Sequence, residues 1–327
     1  MKIDPTIGKY VFSALIVSSV ALIFTNYYIK SNKKSDNIEF ELIQQYLVNK
    51  SSLAKSDKPI LWIHNDYQLN DRNWLSFGSR NTNELNKPIL YLTIDTMIKK
   101  CDKSFNICLI DDNSFFNLIP GWNINLDAVP EPNKQKYRLL ALLHLVYIYG
   151  GLHVPSSLLC FNNLINIFSD YVSEDTFVVS ESIPTSIVSE QTSHFPNFNV
   201  FGAIKNNNTL LKLINTLEHK ILRNLTDEMK FRGSLEKELL HLIDDKKCNV
   251  IPGKILGYYD KNNKPITLHM LMSDEEIELS KNNIAIYLPV NEIIQSKHYD
   301  WFSKLNLDEL PKANNNIGYL LNKIYCN

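Results

Sequence analysis

The chain carries almost no net charge, a formal −1 over 327 residues. It also lacks basic runs interleaved with aromatics, and it has no zinc-finger spacing. A nucleic-acid partner needs a positive footprint of that kind, so no nucleic acid is expected. Arginine is scarce, found only at Arg72, Arg80, Arg138, Arg223 and Arg232. Cysteine is limited to Cys101, Cys108, Cys160, Cys248 and Cys326, an odd number without metal-ligand spacing. Cys108 and Cys160 fall in apolar runs and read as buried free thiols. There is no internal repeat, and no serine–histidine–acid or cysteine–histidine arrangement can be read from spacing.

Apolar residues make up 44% and charged residues 21%, the balance of a folded globular chain rather than a disordered one. The longest uncharged run, "YVFSALIVSSVALIFTNYYI", fills the 20 positions between Lys9 and Lys30. As a helix rising about 1.5 Å per residue it crosses a hydrocarbon core of roughly 30 Å. Tyr10, Tyr27 and Tyr28 mark its ends at headgroup level. A cleavable signal peptide would be shorter and end in small residues, which "FTNYYIKSNKK" does not offer. The expected arrangement is a short tail at 1–9, a transmembrane helix at 10–29, a linker and helical stem at 30–57, and a folded domain at 58–327. Lys30, Lys33 and Lys34 after the span lean towards a cytoplasmic domain, whereas sequons at Asn49, Asn207 and Asn224 lean the other way.

Within 58–327, "KPILWIHND" and "FNICLI" read as buried strands, the second closed by Asp111, Asp112 and Asn113. Between them, "NKPILYLTIDTMIKKCD" reads as a helix burying Leu90, Ile94, Met97, Ile98 and Cys101 on one face. "KQKYRLLALLHLVYIY" is a helix apolar nearly all round, hence internal, with His144 in the core and Gly150 as its stop. "VPSSLLCF", "TFVVSES" and "NIAIYLPV" are strand candidates, and "NTLLKLINTLEHKIL" is an amphipathic helix. Strands alternating with helices predict an α/β domain with a mainly parallel sheet.

"ILWIHND", "ICLIDDNSFFNLIPGW", "RLLALLHLVYIYGGLHVPSSLLCF" and "NFNVFGAIKNNNTLLKLINTLE" together, in this order and spacing, resemble glycosyltransferases of the capsular-polysaccharide-synthesis and initiating-mannosyltransferase types. That resemblance implies a nucleotide-sugar-binding α/β fold, GT-A. It also implies sugar transfer from a nucleotide diphosphate donor to a glycan or protein acceptor, usually with Mn²⁺ or Mg²⁺. The departures are specific. With Gly150 and Gly151 aligned, the family's serine and aspartate fall on Arg138 and Leu139, its arginine on Leu142, and its two metal-binding acids on Pro155 and Ser157. His153 replaces a family aromatic. A hard divalent ion prefers carboxylate oxygens, so no metal is expected at this turn and activity would be metal-independent.

Several residues carry the candidate site. His64, Asn65 and Asp66 end the first strand and Asp111 and Asp112 the second, at the edge where open α/β sheets bind ligands. The plain alternative for each is a solvated turn or helix cap. Arg138 is either a diphosphate clamp or a snorkelling arginine. Gly150 and Gly151 serve backbone geometry or close ligand approach. Ser156 and Ser157 are hydrogen-bond partners for phosphate or sugar hydroxyls, or buried strand serines. Glu181 and His298 are candidate general bases, against a reading as exposed loop residues. Two further readings stand beside an active transferase: a degenerate protein that binds nucleotide sugar or glycan without turnover, and a membrane-tethered scaffold.

Overall fold

The computed structural model describes residues 58–65, 88–183, 195–223 and 227–325. The expected membrane span at 10–29, the stem at 30–57, Asp66, Cys326 and the sequons at Asn49 and Asn224 lie outside the described residues. Among those described, no helix is long and apolar enough to cross a membrane. The chain divides into two units, one of Met1–Asp57 with Phe116–Asn123, the other of Lys58–Phe115 with Ile124–Asn327. In the first, the described stretch closes a turn in which the Trp122 N–H donates to the Ile119 carbonyl at 3.1 Å. The second holds the sheets.

Short apolar runs bounded by polar residues supply the strands. "ILWIH" is β1, Ile60–His64, with Leu61, Trp62 and Ile63 buried. Helix α1, Pro88–Cys101, carries proline in its first turn, where the missing N–H has no partner to lose. β2, Asn106–Ile110, leads to the short helix α2, Ser114–Leu118, which straddles the two units. Helix α3, Asn133–Tyr149, ends at Gly150, whose φ is 73°. β3, Gly151–Pro155, and β4, Leu158–Cys160, are separate strands because Ser156 and Ser157 turn between them; "VPSSLLCF" is not one strand. Then come α4, Ile165–Tyr171, β5, Phe177–Glu181, β6, Pro196–Ala203, α5, Asn208–Leu222, α6, Glu228–Asp244, and β7, Cys248–Ile251.

Six strands form one sheet in the order β2-β1-β3-β6-β5-β7. β1 pairs parallel with both β2 and β3, and β5 pairs parallel with β7. β6 runs antiparallel to β3 and β5, a reversed strand inside a mainly parallel sheet. On one face Leu61, Ile63, Leu152, Val154 and Val178 pack with Ile94, Met97 and Cys101 of α1. A second sheet pairs β4 antiparallel with β8, Ala285–Tyr287. It anchors another core, in which Leu159 and Ile286 meet Phe302, Leu271 of helix α7, Leu268–Met272, Ile293 of helix α8, Val290–Gln295, and residues of helix α9, Asn316–Tyr325.

Three expectations need correction. Ile98 is 44% exposed, because α1 turns Ile89, Leu92, Thr93 and Thr96 inward instead. The two threonines explain the rotation: Thr93 Oγ1 donates to the Ser156 carbonyl at 2.6 Å, and Thr96 Oγ1 accepts the Cys160 N–H at 3.0 Å. His144 is not a core histidine; its side chain is half-buried beside Glu218, with 3.1 Å between Nε2 and Oε1. Cys160 is buried as expected, but Cys108 is only half-buried. The sequon at Asn207 is also explained. Asn207 is 1% exposed, caps α5 by accepting the Leu210 N–H, and donates its Nδ2 to Glu174, so it is not an accessible glycan acceptor.

Candidate functional site

β1 sits between β2 and β3, so the chain leaves it to one side and returns on the other. In an open α/β sheet such a reversal opens a crevice at the carboxyl ends of the strands. The register puts His64 beside Ile110 on one flank and Pro155 on the other, at the mouth of that crevice.

Asp112, just after β2, is the hub. Its Oδ1 accepts from Arg138 Nε at 2.7 Å and its Oδ2 from Arg138 Nη2 at 2.6 Å, a bidentate pair between nearly buried side chains. His64 Nε2 lies 2.8 Å from Oδ1, and Lys134 Nζ lies 3.7 Å from Oδ2. Burial works to raise the Asp112 carboxyl, but the hydrogen bonds and charges of Arg138 and His64 outweigh it and hold the group well below the usual carboxylate range. An ionised carboxylate only accepts, so His64 donates from Nε2 to it. Phe115 stacks on the same ring, with centroids 5.7 Å apart. Asp111 is used locally: its Oδ1 accepts the Ser114 N–H at 2.8 Å and caps α2.

Behind His64, on the same face of the sheet, lies His153. It is paired in register with Phe201, and their rings stack at 4.8 Å. Neither of its ring nitrogens has a hydrogen bond of good geometry. Burial first, then the neighbouring His64, push its pKa down to about 3, and the backbone of Asn199 beside the ring offsets little of this. Asn65 is also buried, with Nδ2 unpaired.

Gly150 and Gly151 act through the backbone. Gly151 has a φ of 108°, and a Cβ there would run into the Ile60 carbonyl. At Gly150 a Cβ would lie 2.9 Å from Lys205 N, while its carbonyl accepts Trp62 Nε1–H at 2.9 Å. Ser156 and Ser157 are half-buried at the β3–β4 turn, and neither hydroxyl bonds to another described residue. The Ser157 carbonyl takes the Leu288 N–H.

The two candidate bases are placed apart. Glu181 ends β5 at the same sheet edge, three strands and about 14 Å across from β1 at the usual strand spacing. Its Oε2 accepts the Gly253 N–H at 2.7 Å. His298 belongs to an exposed turn beyond β8, where its N–H meets Ser296 Oγ. The structure joins His64, Asp112 and Arg138, with Asn65 beside them in sequence, and leaves His298 elsewhere. Lys134 and Phe115 were missed. Lys134 had a signal, since it stands one helical turn before Arg138 and shares its face.

The described residues at the β3–β4 turn and after β2 do not fit a catalytic divalent ion. Pro155, Ser156 and Ser157 supply no carboxylate, Asp111 is a cap, and Asp112 is saturated by cations. Among the described residues no three His, Cys, Asp or Glu side chains form a metal-holding group.

Fold and site define an α/β protein with a charged cluster at its sheet reversal. No protein-family model matches the chain, and no curated protein matches it in sequence. Solved glycosyltransferase structures do. GlyE from Streptococcus pneumoniae TIGR4 is similar at 12% identity over 61% of this chain and 46% of its own, with a TM-score of 0.34. The apo structure of the bifunctional WbbM is similar at 10% identity over 83% of this chain and 52% of its own, with a TM-score of 0.40. This chain thus spans about half the length of the proteins it matches.

Proposed function

We propose that this chain transfers a sugar from a nucleotide-sugar donor to a glycan or protein acceptor, without a divalent ion, while anchored in a membrane by 10–29. The observation that carries the proposal is the cluster of Asp112, Arg138, His64 and Lys134 at the sheet reversal. The family resemblance of the segments that build it supports the choice of ligand. Asp112 orients His64, and Arg138 holds Asp112 in place. Lys134, the more exposed cation, meets the donor diphosphate together with backbone amides, as a preorganised substitute for a metal charge. The hydroxyls of Ser156 and Ser157 offer contacts to phosphate or sugar. In an inverting transfer the acceptor oxygen bonds to the anomeric carbon, the bond to the diphosphate breaks, and the acceptor proton passes to a base. Glu181 suits that base better than His298, because it lies on the same sheet edge.

Loss of the two acids at 155 and 157 favours a second reading, a binder without turnover. One experiment separates the two. Donor hydrolysis and transfer are followed by nucleotide release for the wild-type chain and for Glu181→Gln. Wild-type release, with at least a hundredfold loss in the variant and unchanged donor binding, supports the transferase. Binding without release in the wild type supports the binder.

A further inference from the structure

Away from the sheet edge, a cavity of about 420 Å³ opens beside α9, within the range of ~300–1,000 Å³ usual for small-ligand sites. Its floor is Asn315 and Asn316 and its rim includes Asp274, Glu276, Asn314, Tyr319 and Asn322. Asn316 is fully committed: its Nδ2 donates to the carbonyls of Met270, Ser273 and Glu275 and ties that segment to the start of α9. Asn315 is not. It is 4% exposed, its Oδ1 accepts the Gly318 N–H at 2.7 Å, and its Nδ2 has no hydrogen-bond partner. A buried amide N–H₂ left unpaired is destabilising, so an acceptor atom supplied from the cavity is the simplest compensation.

The rest of the lining narrows the ligand. Tyr319 is 58% exposed and stands on the rim, an aromatic face with no cover. Asp274 and Glu276 share the lining with Lys312 and the amino end of α9, so charges of both signs favour neither an anion nor a cation. Amides that donate and accept, carboxylates that accept, and one open ring together suit a neutral ligand rich in hydroxyls with one apolar face. We propose that this cavity binds a pyranose unit of a neutral glycan, with its C–H face on Tyr319 and its hydroxyls on the asparagine amides and the two carboxylates. This is a second carbohydrate site, separate from the sheet-edge cluster and independent of whether that cluster performs transfer.

Saturation-transfer NMR on the full chain tests it, with cellobiose, mannobiose, lactose and chitobiose as probes. The expected result is saturable transfer to at least one probe, weakened about tenfold by Tyr319→Ala and retained within about threefold by Tyr319→Phe, since the ring is the contact. Tyr319 is exposed enough that neither variant threatens folding, and nucleotide-sugar binding at the sheet edge is expected to stay intact in both. No transfer to any of the four probes overturns the proposal. So does equal transfer in the wild type and Tyr319→Ala.

Discussion

Asp112 and His153 show how differently two titratable groups near the end of β1 are handled. Asp112 is kept charged by cations, so removing it takes from Arg138 the carboxylate that offsets its burial. Asp112→Ala is expected to cost about 3 kcal/mol in urea denaturation, and the paired change Asp112→Leu with Arg138→Met to recover most of it. His153 is kept neutral by burial. Its folded pKa, about 3, lies below the ordinary histidine value of 6.5, so the unfolded chain binds the extra proton between those limits. Stability therefore falls as pH drops from 6.5 towards 3, by at most about 1.4 kcal/mol per unit from this ring. Asp112 adds a loss of the same sign only below about pH 4, where its unfolded form protonates. His153→Phe keeps the stack on Phe201 and is expected to flatten the slope between pH 6 and 4; denaturation midpoints across that range check it.

At the scale of elements, what could be read beforehand follows from burial pattern. β1, β2, α1, α3 and α5 are strongly apolar or strongly periodic, and they fold close to the expected limits, although β2 is not the buried strand expected: it lies at the sheet edge, largely half-buried with Leu109 exposed. α6 buries only Phe231, Leu235 and Leu239 in a charged sequence, and β7 is the four-residue "CNVI" with a polar centre, so neither announces itself. The rotation of α1 was hidden because threonine hydroxyls bonding to β3 and β4 decide it, and a polarity count treats those residues as surface. The site was half legible. His64, Asn65, Asp112 and Arg138 stand out by residue type and position, but Asp112 and Arg138 are 26 residues apart and their pairing depends on where α3 crosses the sheet. Two glycines make the backbone argument testable. Gly151→Ala meets the Ile60 carbonyl at positive φ and is expected to cost more than about 3 kcal/mol or abolish soluble expression. Gly233, exposed inside α6 with open space around its Cβ position, is expected to give about 0.5–1 kcal/mol of added stability when changed to alanine. Thermal denaturation of the two variants side by side distinguishes them.

For the whole molecule, we propose an α/β protein, anchored in a membrane, whose sheet reversal holds a nucleotide sugar with side-chain cations in place of a metal. Calorimetric thermal denaturation of the chain with UDP-, GDP- and CMP-sugars, with and without Mn²⁺, tests that claim most directly. At a donor concentration near a hundred times Kd, binding adds about 2.7 kcal/mol, a rise in Tm of roughly 5–10 °C. The predicted result is such a rise with one donor class, equal with and without Mn²⁺ and lost in Lys134→Ala. A rise that requires Mn²⁺, or none with any donor, would contradict it.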